Sequence, residues 1–297
     1  LELGPEAYVT TSTKKDADMI SEINKLVSEN YKSIKISVSM LNNFFECPRK
    51  WYFRNFLRLP EIKQVYLTLG TVVHGMIESI LKGKYSASEI PSDDHLKKTI
   101  EQKFIEEGVV DDNNLRKLTK DACIILKNWI DNYYEKLLPD FKSERSVSFV
   151  DKKNFPHLVM YGKIDLTEYL PNEEVYVTDF KTGSPKTAGV IEKIDDEGRM
   201  SDLMRQLTMY SYLLSGDKNT KVTNSKLLFL ESEPSDKNAF YQTRITQEQI
   251  DLLKRDIKEY DEALSKGNWI ERECYFKPYG SNSRECEYCK MWHHLDT

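Results

Sequence analysis

Two carboxylates and an ammonium lie close together in the chain. Asp165 falls in Gly-Lys-Ile-Asp-Leu-Thr (162–167), and Asp179 and Lys181 fall in Val-Tyr-Val-Thr-Asp-Phe-Lys-Thr-Gly (175–183). Both acids end β-branched, strand-like runs, and Pro-Asn-Glu-Glu (171–174) reads as the turn between them. A hairpin of that length brings all three groups to one end of a sheet. Two hard oxygen ligands beside a Lys suit a divalent metal and an activated water. That combination points to metal-dependent phosphodiester hydrolysis. Taken singly, Asp165 could be a strand-end cap, and Asp179 with Lys181 a surface pair.

The elements that would position these groups follow from periodicity. Ser39 reads as the N-cap of a helix over Met40 to Leu57, and Gly70 to Lys82 as a second helix with Val73, Ile77 and Ile80 on one face. Residues 93–107 and 113–137 read as longer helices. The period then changes, and 143–151, 157–167 and 174–182 read as strands. The charged segment 184–201 reads as a mobile loop. A helix follows over 202–215, capped by Ser201 or Asp202, then strands over 224–231 and 240–245. Thr246 caps an amphipathic helix reaching about Lys266. This order predicts an α/β (α+β) fold, a mixed central sheet flanked by helices.

Composition narrows the class. The chain has 297 residues, 39% hydrophobic and 31% charged, enough for a substantial core. No apolar run approaches the roughly 18 residues that a membrane span needs, and no secretory signal is visible, so a cytoplasmic location and no membrane partner are expected. The net charge of −5 weighs mildly against a nucleic-acid binder, although steering depends on local patches. Five cysteines, an odd number without an export signal, argue against a disulfide framework. Cys286 and Cys289 have metal-ligand spacing.

Five segments, taken in order, resemble the PD-(D/E)XK nuclease superfamily in its RecB/AddB-like branch. They are Ser-Val-Ser-Met-Leu-Asn-Asn-Phe-Phe-Glu-Cys-Pro-Arg-Lys-Trp-Tyr-Phe (37–53), Leu-Gly-Thr-Val-Val-His (69–74), Asp165 with Asp179-x-Lys181, Gln206-x-x-x-Tyr210, and Cys286-x-x-Cys289. The entry helix, Arg-Leu-Pro (58–60) and Thr-Asp-Phe-Lys-Thr-Gly further resemble nuclease domains fused to UvrD-like, superfamily-1 helicases. The chain then reads as a fragment of a longer protein: a lead-in over 1–35 and a restriction-endonuclease-like domain over 36–297. That domain would carry a helical insertion at about 84–140 and a clip formed by 274–297 with Cys47.

The resemblance implies a DNA nuclease, an exonuclease more than an endonuclease, acting on single strands or ends in repair and recombination. Its metal ligands would be His74, Asp165, Asp179 and the backbone carbonyl of Phe180. Carboxylate and carbonyl oxygens suit Mg²⁺, and the imidazole shifts preference toward Mn²⁺. Lys181 would orient water or stabilise phosphate charge, and Gln206 and Tyr210, which share a helix face, would position the phosphate. Without the resemblance, His74, Gln206 and Tyr210 read as ordinary helix residues. Arg49, Lys50, Arg54 and Arg58, interleaved with aromatics, read either as a wall for single-stranded DNA or as the solvated face of a core helix.

The family's clip is a [4Fe–4S] cluster on one upstream and three C-terminal cysteines. Cys47, Cys286 and Cys289 match three of the four. The usual last Cys would fall near Leu295 and is absent, which leaves Cys274, His293 or His294 as the fourth ligand. Four Cys would suit iron–sulfur or zinc, and three Cys with a His would favour zinc. Cys47 could equally be a buried helix residue and the other two free thiols, while Cys123 reads as core. Two other functions compete with the nuclease: a catalytically inactive DNA-binding module of a helicase–nuclease complex, and a metal-stapled protein-interaction domain.

Overall fold

The structure, a computed structural model, describes residues 5–60, 65–84, 93–217, 220–233, 235–275 and 286–295. Parts of the expected lead-in, insertion and clip (1–4, 85–92, 276–285 and 296–297) lie outside the described residues. In chain order the helices are α1 (Pro5–Asn30), α2 (Val38–Glu46), α3 (Pro48–Trp51), α4 (Val65–Leu81), α5 (Asp93–Glu106), α6 (Asp112–Asn132), α7 (Ala188–Ile191), α8 (Asp202–Leu214), α9 (Gln247–Lys266) and α10 (Glu287–Leu295). The strands are β1 (Phe141–Phe149), β2 (Met160–Tyr169), β3 (Glu174–Lys181), β4 (Lys221–Phe229) and β5 (Phe240–Thr243). Contacts divide the chain into two compact units. One comprises Ile62–Phe149 and Gly162–Ile250, the other Leu1–Glu61, Val150–Tyr161 and Asp251–Thr297.

The first unit is built on a five-stranded sheet in the order β1-β2-β3-β4-β5. The β2–β3 and β4–β5 pairs are antiparallel. The β3–β4 pair is parallel, so the chain must cross over between them, and α8 lies on that crossover. The hairpin read from sequence is present, and its turn places Asn172 and Glu173 at φ of 65° and 63°. Leu118, Ala122, Ile125, Leu126 and Trp129 recur at helical spacing along α6 and are buried. They share a core with Val73, Met76 and Ile77 of α4 and with Leu166, Phe180 and Leu228 of the sheet. Cys123 is half-buried against this core, as its apolar stripe suggested.

The segment at 184–201 is tied down rather than loose. Ile191 and Met200 are buried, Ile194 bridges Met200, and Tyr241 OH donates to Glu192 at 2.8 Å. Its acids and bases masked these few apolar anchors. Ser201 then caps α8 by accepting from Met204 N at 3.1 Å. Thr246 and Gln249 form a reciprocal capping box (Gln249 N to Thr246 Oγ1 at 3.2 Å, Thr246 N to Gln249 Oε1 at 2.8 Å).

The second unit has an aromatic core. Trp51 is fully buried and meets Phe44, Tyr260 and Trp269 edge to face. Tyr52 stacks on Trp269 at 5.3 Å, and Trp292 of α10 meets both. The single helix expected over Met40 to Leu57 is broken at Cys47, whose φ of −159° and ψ of 113° are extended. Pro48 is the cause. It lacks an amide hydrogen and disfavours helical geometry in the residue before it. The N-cap of α2 is Ser37, which accepts from Met40 N at 3.3 Å, rather than Ser39.

Candidate active site and thiol centre

Residues two apart on a strand face the same way, so β3 presents Asp179 and Lys181 on one face and Phe180 on the other. Phe180 is buried in the core against Trp129, ring centroids 6.1 Å apart. Across the hairpin, Leu166 pairs with Thr178, and the same register carried one step further sets Asp165 beside Asp179. Asp165 Oδ2 accepts from Phe180 N at 2.7 Å, which locks the carboxylate to the neighbouring strand. Its other close neighbour is His74 of α4, with Nδ1 3.6 Å away.

α4 reaches the sheet because of Gly70. A Cβ there would lie 2.6 Å from Thr182 Oγ1, so a side chain would have to turn Thr182 aside or move the helix that carries His74. Gly162 does the same for α8, since a Cβ at that position would lie 2.6 Å from Leu213 Cδ1 and 3.5 Å from Tyr210 Cε1.

α8 supplies Gln206 and Tyr210 to Asp179. Gln206 Nε2 donates to Asp179 Oδ1 at 2.7 Å and to Tyr210 OH at 2.8 Å, and Tyr210 OH donates to Asp179 Oδ1 at 3.0 Å. Gln206 Oε1 accepts from Lys181 Nζ at 2.5 Å, so only one orientation of the amide satisfies all its partners. Asp179 Oδ2 lies 2.8 Å from Lys181 Nζ as an ion pair, yet this buried oxygen has no aligned hydrogen bond.

These groups line one cleft of about 660 Å³, which is also lined by Glu144 of β1 and Lys163 of β2. Burial raises the Asp179 pKa; the Lys181 charge opposes this and the Asp165 charge adds to it. Burial pulls the His74 pKa down, but the Asp165 hydrogen bond and the charges of Asp165, Asp179 and Glu144 outweigh it, leaving a net rise. Tyr210 is pushed well above the usual phenol range by burial and by Asp179, so it stays a donor. A net-negative cleft of carboxylates and an imidazole fits a hard divalent cation.

The structure brings His74, Asp165, Asp179, Lys181, Gln206 and Tyr210 into this one cleft. His74, Asp165 and Glu144 offer ligand atoms within 4.8 Å of one another, while Asp179 is drawn toward α8. Sequence reasoning missed Glu144 and Lys163. Lys163 had a signal, standing two residues before Asp165 on the same strand face, but Glu144 had none.

In the second unit Cys47, Cys274, Cys286 and Cys289 place all four sulfurs within 4.8 Å of one another. The Cys47–Cys286, Cys274–Cys286 and Cys286–Cys289 separations are 3.6, 3.4 and 3.4 Å. The four-Cys group could hold a metal ion or an iron–sulfur cluster, and Cys274 supplies the fourth sulfur. Burial pushes the Cys289 thiol up to about 12 and raises that of Cys47. Cys286 is lowered despite its burial, by the Cys289 amide and the neighbouring thiols. Buried thiols crowded this closely suit a cation that would hold them as thiolates.

The basic residues of the entry helix divide. Arg49 donates to the carbonyls of Ile270 (2.9 Å) and Arg272 (3.2 Å), and Lys50 pairs with Glu46 at 2.5 Å. Trp51, Tyr52 and Phe53 are core. Arg54 is half-buried, and Arg58, at φ of 57°, is exposed.

A sequence profile of the PD-(D/E)XK nuclease superfamily matches residues 35–293. A crystal structure described as a "putative exonuclease" from Eubacterium rectale aligns over 89% of this chain and 90% of its own, at 16% identity and a TM-score of 0.51, which is a likeness of fold. A second solved protein, SSO0001, aligns over 81% of this chain and 84% of its own at 16% identity and a TM-score of 0.34. No curated protein matches the chain. Among the described residues no helix is long and apolar enough to cross a membrane.

Proposed function

The chain belongs to the PD-(D/E)XK nuclease superfamily, and from that premise we propose that it is a Mg²⁺- or Mn²⁺-dependent deoxyribonuclease using the cleft of His74, Asp165, Asp179 and Lys181. The observation that carries this reading is the convergence of His74, Asp165 and Asp179 on one cleft, with Lys181 paired to Asp179 at 2.8 Å. Bound there by His74, Asp165, Asp179 and the Phe180 carbonyl, the ion would supply Lewis acidity to a phosphodiester oxygen and a lowered pKa to a water. Lys181 sets its ammonium beside the reacting phosphate, where it stabilises charge developing on the oxygens. Gln206 holds Lys181 and Asp179 at fixed separation. Tyr210 and Gln206 keep Asp179 Oδ1 occupied, while Oδ2 pairs with Lys181.

The substrate in this reading is single-stranded DNA or DNA ends, attacked as an exonuclease during repair or recombination. A superfamily-1 helicase, fused or associated, would deliver it. The resemblance of the entry helix, Arg-Leu-Pro (58–60) and Thr-Asp-Phe-Lys-Thr-Gly to nuclease domains fused to UvrD-like, superfamily-1 helicases supports this assignment.

The four thiols suit zinc as they stand. A tetrahedral ion with Zn–S bonds of ~2.3 Å sets its sulfurs ~3.8 Å apart, close to the 3.4–3.8 Å found between four of the pairs. An iron–sulfur cluster binds each thiolate to a separate iron and needs these sulfurs to spread. One zinc per chain and no visible absorption is the expected metal content; a brown protein with four irons would reverse the assignment.

The deciding experiment is cleavage of end-labelled single- and double-stranded DNA with Mg²⁺, Mn²⁺ or EDTA, comparing wild type with Asp179→Ala. Cutting that needs the metal and is lost in the variant is expected. A folded wild type that binds DNA but cuts nothing under any metal would instead make the chain an inactive binding module.

A further inference from the structure

Glu144 is in the wrong place for an ordinary strand residue. Along β1, residues at odd positions (Phe141, Ser143, Arg145, Val147) are half-buried and those at even positions (Lys142, Ser146, Ser148) are exposed. Alternation would therefore put Glu144 on the exposed face. Instead its φ is 51°, left-handed, and its side chain is turned inward with 10% exposure. A non-glycine residue in this region is uncommon, and it persists where the surroundings hold it there. The turn delivers the carboxylate to the cleft, next to His74 and Asp165.

Lys163 forms an ion pair with Glu144. Its side chain is 51% exposed and free to swing into solvent, whereas Glu144 is not. Of the further carboxylates lining the cleft, Glu78 pairs with Lys82, and Asp179 is engaged by Gln206 and Tyr210. The donors around His74 are thus one imidazole and two carboxylates, from Asp165 and Glu144, within 4.8 Å. Around an octahedral ion with bonds of ~2.1 Å, donors lie ~3.0 Å (adjacent) to ~4.2 Å (opposite) apart. His74 Nδ1 and Asp165 Oδ2, 3.6 Å apart, already lie within that range, and Glu144, within 4.8 Å of both, needs only to close toward them.

We propose that Glu144 is a ligand of the divalent metal held by His74 and Asp165, and that Lys163 takes the cation's place beside it until the metal arrives. This rests on the metal-dependent reading of the cleft given above. Lys163 keeps the preformed carboxylate neutralised, and on metal binding its ammonium is released at the cleft's edge, where substrate phosphate would pass.

The two members of the pair then act in opposite directions, which a merely structural ion pair does not do. Mn²⁺ binding is measured by the loss of the free-ion electron paramagnetic resonance signal, on wild type, Glu144→Gln and Lys163→Met, with melting recorded for each. Glu144→Gln should weaken binding by ~10-fold or more, the scale on which metal sites respond to lost supporting groups. Lys163→Met should tighten it several-fold, since a competing cation is gone. Equal Mn²⁺ affinity in all three, or weakening in both variants together with lower melting, overturns the proposal. Wild type that binds no Mn²⁺ removes the metal-dependent reading and this proposal with it. Wild type that binds Mn²⁺ while Glu144→Gln binds equally well removes the proposal alone.

Discussion

Asp179 is the most constrained group in the cleft, fully buried and contacted by Lys181, Gln206 and Tyr210. Asp179→Asn should abolish metal-supported cleavage while leaving the fold, because its Oδ1 still accepts from Gln206 and Tyr210 and only the Lys181 pair is lost. Lys181→Met should retain metal binding and lower kcat ~10²–10³-fold, the range for losing one group that stabilises transition-state charge. A parallel rise in the metal requirement would place Lys181 in binding instead. His74 gives a pH dependence of definite sign. Its folded pKa is raised above the ordinary 6.5, so without metal its protonated form stabilises the folded state. That contribution is present below about 6.5 and is lost as pH rises through the raised value. The melting difference between metal-free wild type and His74→Gln should shrink from pH 6 to pH 9. With metal the trend inverts, because the ion competes with the proton and its affinity climbs over the same interval.

At the scale of elements, two glycines set how closely the helices approach the sheet. Gly70→Ala puts a methyl 2.6 Å from Thr182 Oγ1 and should cost ~1–3 kcal/mol as an overpacked contact, with weaker metal binding because His74 moves with α4. Adding Thr182→Ala removes the clashing oxygen and should restore both; a double variant as impaired as the single would show that the helix is held elsewhere. The hairpin, its two acids and Lys181 were legible because strands alternate and their ends can be counted, and Gln206 and Tyr210 share a face by helical spacing. Gly70 was legible only as part of a motif, because its reason is a side chain 112 residues away. Glu144 was illegible, since its side chain departs from the alternation that sequence reading assumes. The break at Cys47 was written in the Cys-Pro pair and was overridden by the apolar periodicity on either side. The basic residues beside it could be read as a DNA wall or as the solvated face of a core helix, and Arg49 bonds instead to carbonyls at 270 and 272, a pairing no local pattern encodes.

At the scale of the whole molecule, the four thiols join segments far apart in sequence, with Cys47 and Cys286 separated by 239 positions. Closing a loop that long is worth roughly 5 kcal/mol by chain entropy. Chelation or Cys286→Ser should therefore loosen the aromatic unit before the sheet unit. The tryptophans can report this, because Trp51, Trp269 and Trp292 belong to the aromatic unit and Trp129 to the other. In a Trp129→Phe background, fluorescence should shift at a lower temperature than the midpoint of the far-ultraviolet signal, to which helices of both units contribute; coincident transitions would mean the thiol centre contributes nothing separate.

The same separation has a consequence for synthesis. A ribosome adding about 5–20 residues per second needs roughly 10–50 s to travel from Cys47 to Cys286. The sheet unit, nearly continuous from 62 to 250, has all its strands in hand before then. The first thiol must wait through that interval without its partners, exposed to oxidants and to whichever soft metal reaches it first. The order of assembly is thus nuclease sheet early and thiol centre last, and stalled nascent chains ending before residue 286 should protect the sheet from protease but not the entry helix.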